Sequence, residues 1–152
     1  DWLKSLRIAA IAQHEDLFVL SVGSGAADLH RFGLAGLELG FLSHPRLIAM
    51  AYSAADVYVI PSKQDNFPNT VLESLACGTP VLAFDCPGGT GEIITEGRNG
   101  WLVPAEDIGT MASRLIEIVR TRAWEKMDPE RLVPEAHECG NAVRAYESLL
   151  IE

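Results

Sequence analysis

The sequence predicts an α/β fold in which a doubly wound parallel sheet carries helices on both faces. Short apolar runs alternate with helix-like segments along the chain, and glycine and proline turns separate them. The runs are continuously apolar, which is typical of parallel strands that are buried on both faces. A length of 152 residues with 48% apolar and 22% charged residues suits one compact domain and excludes collagen, coiled coil and wholesale disorder.

The first half of the chain contains three predicted strands separated by helices. Leu3, Leu6, Ala10 and Ile11 recur at helical spacing, and a compact apolar run follows them. The predicted elements are, in order, a helix to about residue 14, a strand at 17–22, a short helix at 26–32, a strand at 37–41, a helix at 44–52 and a strand at 57–60.

The second half repeats this scheme with sharper turns. Ile108, Met111, Leu115 and Ile118 form one apolar stripe that predicts an amphipathic helix. The predicted elements are, in order, a helix at 69–76, a strand at 81–84, a short helix at 92–96, a strand at 101–103, a helix from 106 onward and two further helices at 129–137 and 142–151.

The predicted strand order leaves one central position of the sheet empty. Doubly wound sheets of this type run 3-2-1-4-5-6, so a strand is expected between those at 17–22 and 57–60. We expect this first strand to lie upstream of Asp1, so that the chain is a piece of a longer protein. The alternatives are that another segment, or a strand swapped in from a neighbouring molecule, takes its place.

The charge and the cysteines narrow the class of function. The net charge of −9 repels nucleic acid and anionic membranes, so a phosphorylated ligand must be held by local groups. The three cysteines, Cys77, Cys86 and Cys139, are odd in number and form no C-x-x-C pair, which predicts reduced thiols in a cytoplasmic protein. The four histidines lack metal-ligand spacing, and no apolar run is long enough to span a membrane. We therefore expect no metal site.

The loop after the strand at 57–60 carries the strongest candidate site, because ligands of open parallel sheets bind beyond the carboxyl ends of the strands. Asp65 and Glu73 stand on either side of the helix start at Pro68-Asn69-Thr70, whose unpaired N–H groups attract a diphosphate. Ionised carboxylates beside such a site suit the vicinal hydroxyls of a sugar.

Structural alternatives exist for each of these features. Thr70-x-x-Glu73 is also a capping box, which is the simpler interpretation of the spacing alone. Gly88-Gly89 permits either close approach of a ligand or only a turn. Lys63 is near enough in sequence to contact a phosphate, but an isolated lysine is more often a solvated surface group.

Three motifs in order carry a family resemblance. They are AADVYVIPS at 54–62, DNFPNTVLESLACGTPV at 65–81, and GGTGEII at 88–94 followed by NG at 99–100. This series resembles the C-terminal donor-binding domain of retaining GT-B glycosyltransferases, of the group 1 or family 4 type. It implies a Rossmann-like domain that forms one half of a GT-B fold.

The resemblance also implies roles for individual residues. Asp65, where the family usually has Glu, would be a catalytic residue beside the donor sugar, and Glu73 would bind the ribose hydroxyls of the nucleotide. The other implied donor-binding residues are Asn66, Phe67, Pro68, Asn69 and Thr70 along the sugar and diphosphate, Leu42 in the loop beside the nucleobase, and Gly88 and Gly89 at the border of the pocket.

By the same resemblance, residues 1–152 form the donor-binding domain of a two-domain enzyme. The intact enzyme would move a hexose from a nucleoside diphosphate sugar to a glycan or lipid-linked acceptor, without a metal or further cofactor. The acceptor domain and the Arg and Lys that neutralise the diphosphate would lie upstream, so the fragment alone would be inactive. A peripheral location at the inner face of the membrane stays open. The alternatives are a sugar-nucleotide epimerase of GT-B architecture and a non-catalytic doubly wound binding domain.

Overall fold

A computed structural model describes residues 16–23, 28–63, 68–86 and 89–138. The strands are β1 (Phe18–Val22), β2 (Ala35–Gly40), β3 (Tyr58–Ile60), β4 (Val81–Asp85) and β5 (Gly100–Pro104). The helices are α1 (Pro45–Ser53), α2 (Asn69–Ala76), α3 (Thr90–Ile93) and α4 (Ile108–Thr121). Four 3₁₀ turns occupy His30–Phe32, Ala123–Lys126, Pro129–Arg131 and Glu135–His137.

Among the described residues all strand pairs are parallel, and they form two sheets. One sheet has the order β1-β2 and the other the order β3-β4-β5. Within the described ranges, no strand pairs with the remaining edges of β1 and β3. These are the two strands between which the sequence predicts an unfilled central position.

Two apolar clusters cover opposite faces of the three-stranded sheet. On one face, α4 packs with Met111 and Ile116 against Leu82 and Phe84 of β4, and Leu29 joins the same cluster. On the other face, α2 and α3 cover the sheet through a set of buried apolar side chains: Val71, Leu75, Ile93, Ile60, Val81 and Ala83. The predicted fold class, a parallel Rossmann-like sheet with helices on both faces, is therefore confirmed.

A buried asparagine joins three segments beneath the second cluster. Asn99 accepts a hydrogen bond from the backbone N–H of Thr95 at 2.7 Å. Its amide donates to the carbonyl oxygens of Ile93 at 3.0 Å and Leu132 at 2.9 Å. The end of α3, the turn before β5 and the segment after α4 are thus tied to one side chain.

Three helices differ from their predicted form. The helix expected at 92–96 begins at Thr90 and ends at Ile93, because Asn99 takes up the N–H of Thr95 in a turn. The helix expected at 129–137 is two 3₁₀ turns, since Pro134 has no N–H with which to continue a helix. The described part of 26–32 holds one 3₁₀ turn. The helices predicted before residue 15 and at 142–151 lie outside the described residues.

We predict that Asn99→Ala lowers the free energy of unfolding by about 2–3 kcal/mol, because it leaves two buried carbonyls and one part-buried N–H without their partner. Urea unfolding with an unchanged m value measures this. Arg98→Ala, at the exposed neighbouring position, is the matched control and should stay within about 0.5 kcal/mol of the parent. Equal effects of both substitutions would contradict the role given to Asn99.

Candidate functional site

The carboxyl ends of β3, β4 and β5 meet at one edge of the parallel sheet. Lys63 and Pro68 follow β3, Gly89 follows β4 and Glu106 follows β5. The sequence-predicted residues around Pro68 and Gly89 therefore share this edge, where ligands of open parallel sheets bind.

The start of α2 is open at this edge. Pro68 is buried and stands at the N-cap, where no side chain caps the helix. Asn69 and Thr70 form its first two residues and are exposed. Because the first N–H groups of a helix have no partner within it, this helix start presents donors and a positive dipole end.

Glu73 lies one turn into α2 and is exposed. A capping box would need Thr70 at the N-cap, but Thr70 is the second residue of the helix. Within the described part of the chain, no hydrogen bond holds the Glu73 carboxylate against the backbone. The capping-box alternative is therefore not the observed geometry, and the carboxylate is available to a ligand.

Tyr52 lies near Glu73 and packs against a second tyrosine, Tyr58. The rings of Tyr52 and Tyr58 meet edge to face, with centroids 5.2 Å apart. Burial raises the pKa of Tyr52 well above its usual range, and the neighbouring Tyr58 and Glu73 raise it further. The carbonyl of Tyr52 accepts a hydrogen bond from Thr79 at 2.7 Å, which ties α1 to the turn before β4. The phenol beside Glu73 thus stays protonated at neutral pH.

A side-chain hydrogen bond to β4 fixes the turn that follows this strand. Gly89 is buried, has a φ of 150° and precedes α3. The hydroxyl of Thr90 donates to the carbonyl of Phe84 at 2.8 Å. A side chain at Gly89 would be strained in this conformation, so the glycine keeps the backbone bare at the edge.

The remaining predicted site residues are placed as follows. Leu42 is half-buried and follows β2, so it belongs to the carboxyl end of the two-stranded sheet. Asp65, Asn66, Phe67 and Gly88 lie outside the described residues.

The prediction of site residues missed an ion pair at this edge. Lys63 Nζ lies 2.9 Å from Glu106 Oε2, and the two residues are 43 positions apart in the chain. Glu106 has a left-handed backbone with a φ of 62°. No local sequence pattern predicts this ion pair, because it depends on β3 and β5 both flanking β4.

An open groove of about 660 Å³ lies between β5 and α4. It contains none of the sequence-predicted site residues, and its lining includes Arg114, which is paired with Glu96 and Glu117. We place the candidate site at the start of α2 and the Gly89 turn, since the helix start that lines the groove, that of α4, is capped by Asp107.

Groups of three or more His, Cys, Asp and Glu side chains able to hold a metal ion are absent from the described ranges. Cys86 is buried and Cys77 is half-buried, and neither forms a disulfide. Cys139 lies outside the described residues.

As far as the structure describes the chain, no helix has the length and apolarity needed to cross a membrane.

The chain matches a known protein family. Residues 2–121 match the model of the family described as glycosyl transferases group 1. The D-inositol 3-phosphate glycosyltransferase of Geodermatophilus obscurus is 38% identical over 103 residues, which cover 68% of this chain and 21% of the relative. The chain spans less than half the length of the curated relatives that it matches.

Solved structures share the fold. The GtfA/B complex superposes with a TM-score of 0.75 at 22% identity, over 99% of this chain and 32% of that one. Anabaena Alr3699/HepE in complex with UDP and glucose superposes with a TM-score of 0.69 at 22% identity, over 97% of this chain and 44% of that one. At this identity the likeness concerns the fold.

Proposed function

This chain belongs to the family of group 1 glycosyl transferases, and from that premise we propose that it is the donor-binding half of a retaining glycosyltransferase. The intact enzyme transfers a hexose from a nucleoside diphosphate sugar to a glycan or lipid-linked acceptor. The proposal rests on two features of α2. No side chain caps the start of the helix, and one turn into it the Glu73 carboxylate is exposed and does not form a capping box.

The two ends of a nucleotide find complementary groups along α2. The N–H donors at Asn69 and Thr70 attract the diphosphate through charge and the helix dipole. Glu73, as an ionised carboxylate, accepts hydrogen bonds from two vicinal ribose hydroxyls. The bare backbone at Gly89 admits the ligand closely at the border of the pocket.

The transfer step uses the diphosphate as leaving group and base. The bond between the sugar's anomeric carbon and the diphosphate oxygen breaks, and the acceptor oxygen bonds to that carbon from the same face. The acceptor's hydroxyl proton passes to the departing diphosphate, so no protein nucleophile is needed. Asp65 orients the sugar, and the acceptor domain is contributed from outside these 152 residues.

A solved structure supports a nucleotide sugar as donor, and the charge of the chain disfavours a different anionic partner. Anabaena Alr3699/HepE, which shares the fold, was solved with UDP and glucose. The chain's net charge of −9 disfavours nucleic acid as the anionic partner. We propose a cytoplasmic enzyme, with peripheral contact to the inner membrane face where its acceptor is lipid-linked.

Glu73→Gln should weaken nucleoside diphosphate binding by roughly 1.5–3 kcal/mol, because the neutral amide loses charge-assisted hydrogen bonds to the ribose. Calorimetry with UDP, GDP and ADP identifies the base that binds and measures the loss. The 2′-deoxy form of that nucleotide should bind the parent more weakly and bind Glu73→Gln no worse than the ribose form does.

Glu130→Gln, at an exposed acid on the 3₁₀ turn Pro129–Arg131, is the matched control and should leave affinity unchanged. An undiminished affinity of Glu73→Gln for the nucleotide would remove Glu73 from the site.

For Asp65 we expect an effect on the sugar rather than the nucleotide. Asp65→Asn in the intact enzyme should depress turnover of the sugar nucleotide about 100-fold, the size of effect that one lost charged contact in a transition state produces. Binding of the bare nucleoside diphosphate should stay within about twofold of the parent. Equal losses in both measurements would refute this division of roles between Asp65 and Glu73.

A further inference from the structure

The ion pair between Lys63 and Glu106 joins two loops across a third. Lys63 follows β3 and Glu106 follows β5, and these two strands flank β4 in the sheet. Neighbouring strands lie about 4.8 Å apart, so the two loops start roughly 10 Å from each other. The two side chains therefore reach towards each other over the carboxyl end of β4.

The register of the strands fixes the height of this bridge. Ile60 pairs with Ala83, and Pro104 pairs with Asp85. Lys63 and Glu106 come shortly after Ile60 and Pro104, so both stand level with the start of the loop that follows β4. That loop leads into the turn at Gly89, where the proposed donor site lies.

Lys63 is the cationic side chain at this edge of the described sheet. In the described parts of the loops after β3, β4 and β5, no other Lys, Arg or His occurs. The whole chain carries a net charge of −9, so acidic side chains outnumber the cations that could neutralise a diphosphate.

Glu106 is the acid free to hold Lys63. Its neighbour Asp107 is engaged in capping α4, where it accepts hydrogen bonds from the N–H of Thr110 at 2.9 Å and from its hydroxyl at 2.7 Å. These bonds hold the pKa of the Asp107 carboxyl below its usual range. The side chains of Lys63 and Glu106 are 66% and 61% exposed, so water screens their attraction and the pair exchanges partners at little cost.

We propose that Lys63 is a diphosphate-binding residue that Glu106 holds in the absence of donor. This inference rests on the proposed donor-binding function and deepens it. A diphosphate carries more negative charge than one carboxylate and accepts several charge-assisted hydrogen bonds. Arrival of the donor therefore draws Lys63 away from Glu106 and onto the phosphates.

The test is a double-mutant cycle read by calorimetry in the full chain. The ligands are the nucleoside diphosphate that binds the parent, chosen from UDP, GDP and ADP, and the matching uncharged nucleoside. Lys63→Gln should weaken the diphosphate about tenfold. Glu106→Gln should tighten it about threefold, because Lys63 is then already free. The double variant should bind like Lys63→Gln alone, and no variant should change affinity for the nucleoside.

The exposed pair Arg122–Glu125 provides the matched control, since it is an ion pair of similar exposure near the end of α4. Glu125→Gln should leave diphosphate binding unchanged. Urea unfolding confirms that each variant is folded.

The outcomes separate the two proposals. If the parent binds the diphosphate and both Lys63→Gln and Glu106→Gln stay within twofold of it, the inference about Lys63 is overturned and the donor site stands. A Glu106→Gln effect that persists in the Lys63→Gln background also overturns it, because Glu106 would then act directly. If the parent binds neither ligand, the donor-binding function itself fails, and the role of Lys63 fails with it.

Discussion

Burial of β4 on both faces is the constraint on which the rest of this structure depends. Val81, Leu82 and Ala83 are fully buried, and Phe84 nearly so. Alternate residues of the strand point into opposite apolar clusters, so Leu82 and Phe84 contact the helix on one face, and Val81 and Ala83 contact those on the other. Gly100 of β5 lies so close that a side chain on it would meet the Val81 carbonyl oxygen. The central strand thus sets the separation of every layer around it.

The position of β4 determines the geometry of the candidate site. Thr90 bonds to the carbonyl of Phe84, so the turn at Gly89 is anchored to the last buried residue of β4. The loops carrying Lys63 and Glu106 leave the strands on either side of it. A ligand at this edge therefore meets flexible, exposed side chains that are mounted on a rigid core, which is the usual arrangement of binding sites on parallel sheets.

The parts of the molecule that follow from local pattern could be predicted from sequence. Helix α2 has its predicted bounds at Asn69 and Ala76, because Pro68 begins it and Gly78, with a φ of 81°, follows its end. The short segments after α4 were harder to predict, since a helix was expected at 129–137 where the structure has two 3₁₀ turns separated at Pro134. The pairing of Lys63 with Glu106 and the hydrogen bond from Asn99 to Leu132 are long-range contacts. Local hydrophobic periodicity in the sequence does not predict such contacts.

An acidic residue inside an anion-binding site is consistent only if charge is divided along the ligand. Helix α2 makes that division: its donors lie at Asn69 and Thr70, and Glu73 lies one turn further along the axis. A turn of helix spans about 5.4 Å, comparable to the reach from a nucleotide's diphosphate to its ribose hydroxyls. On the proposed function, the carboxylate meets the uncharged diol while the positive helix end meets the phosphates. Burial raises the pKa of Tyr52, the tyrosine near Glu73, so this side chain stays neutral and leaves the charge pattern along the helix unchanged.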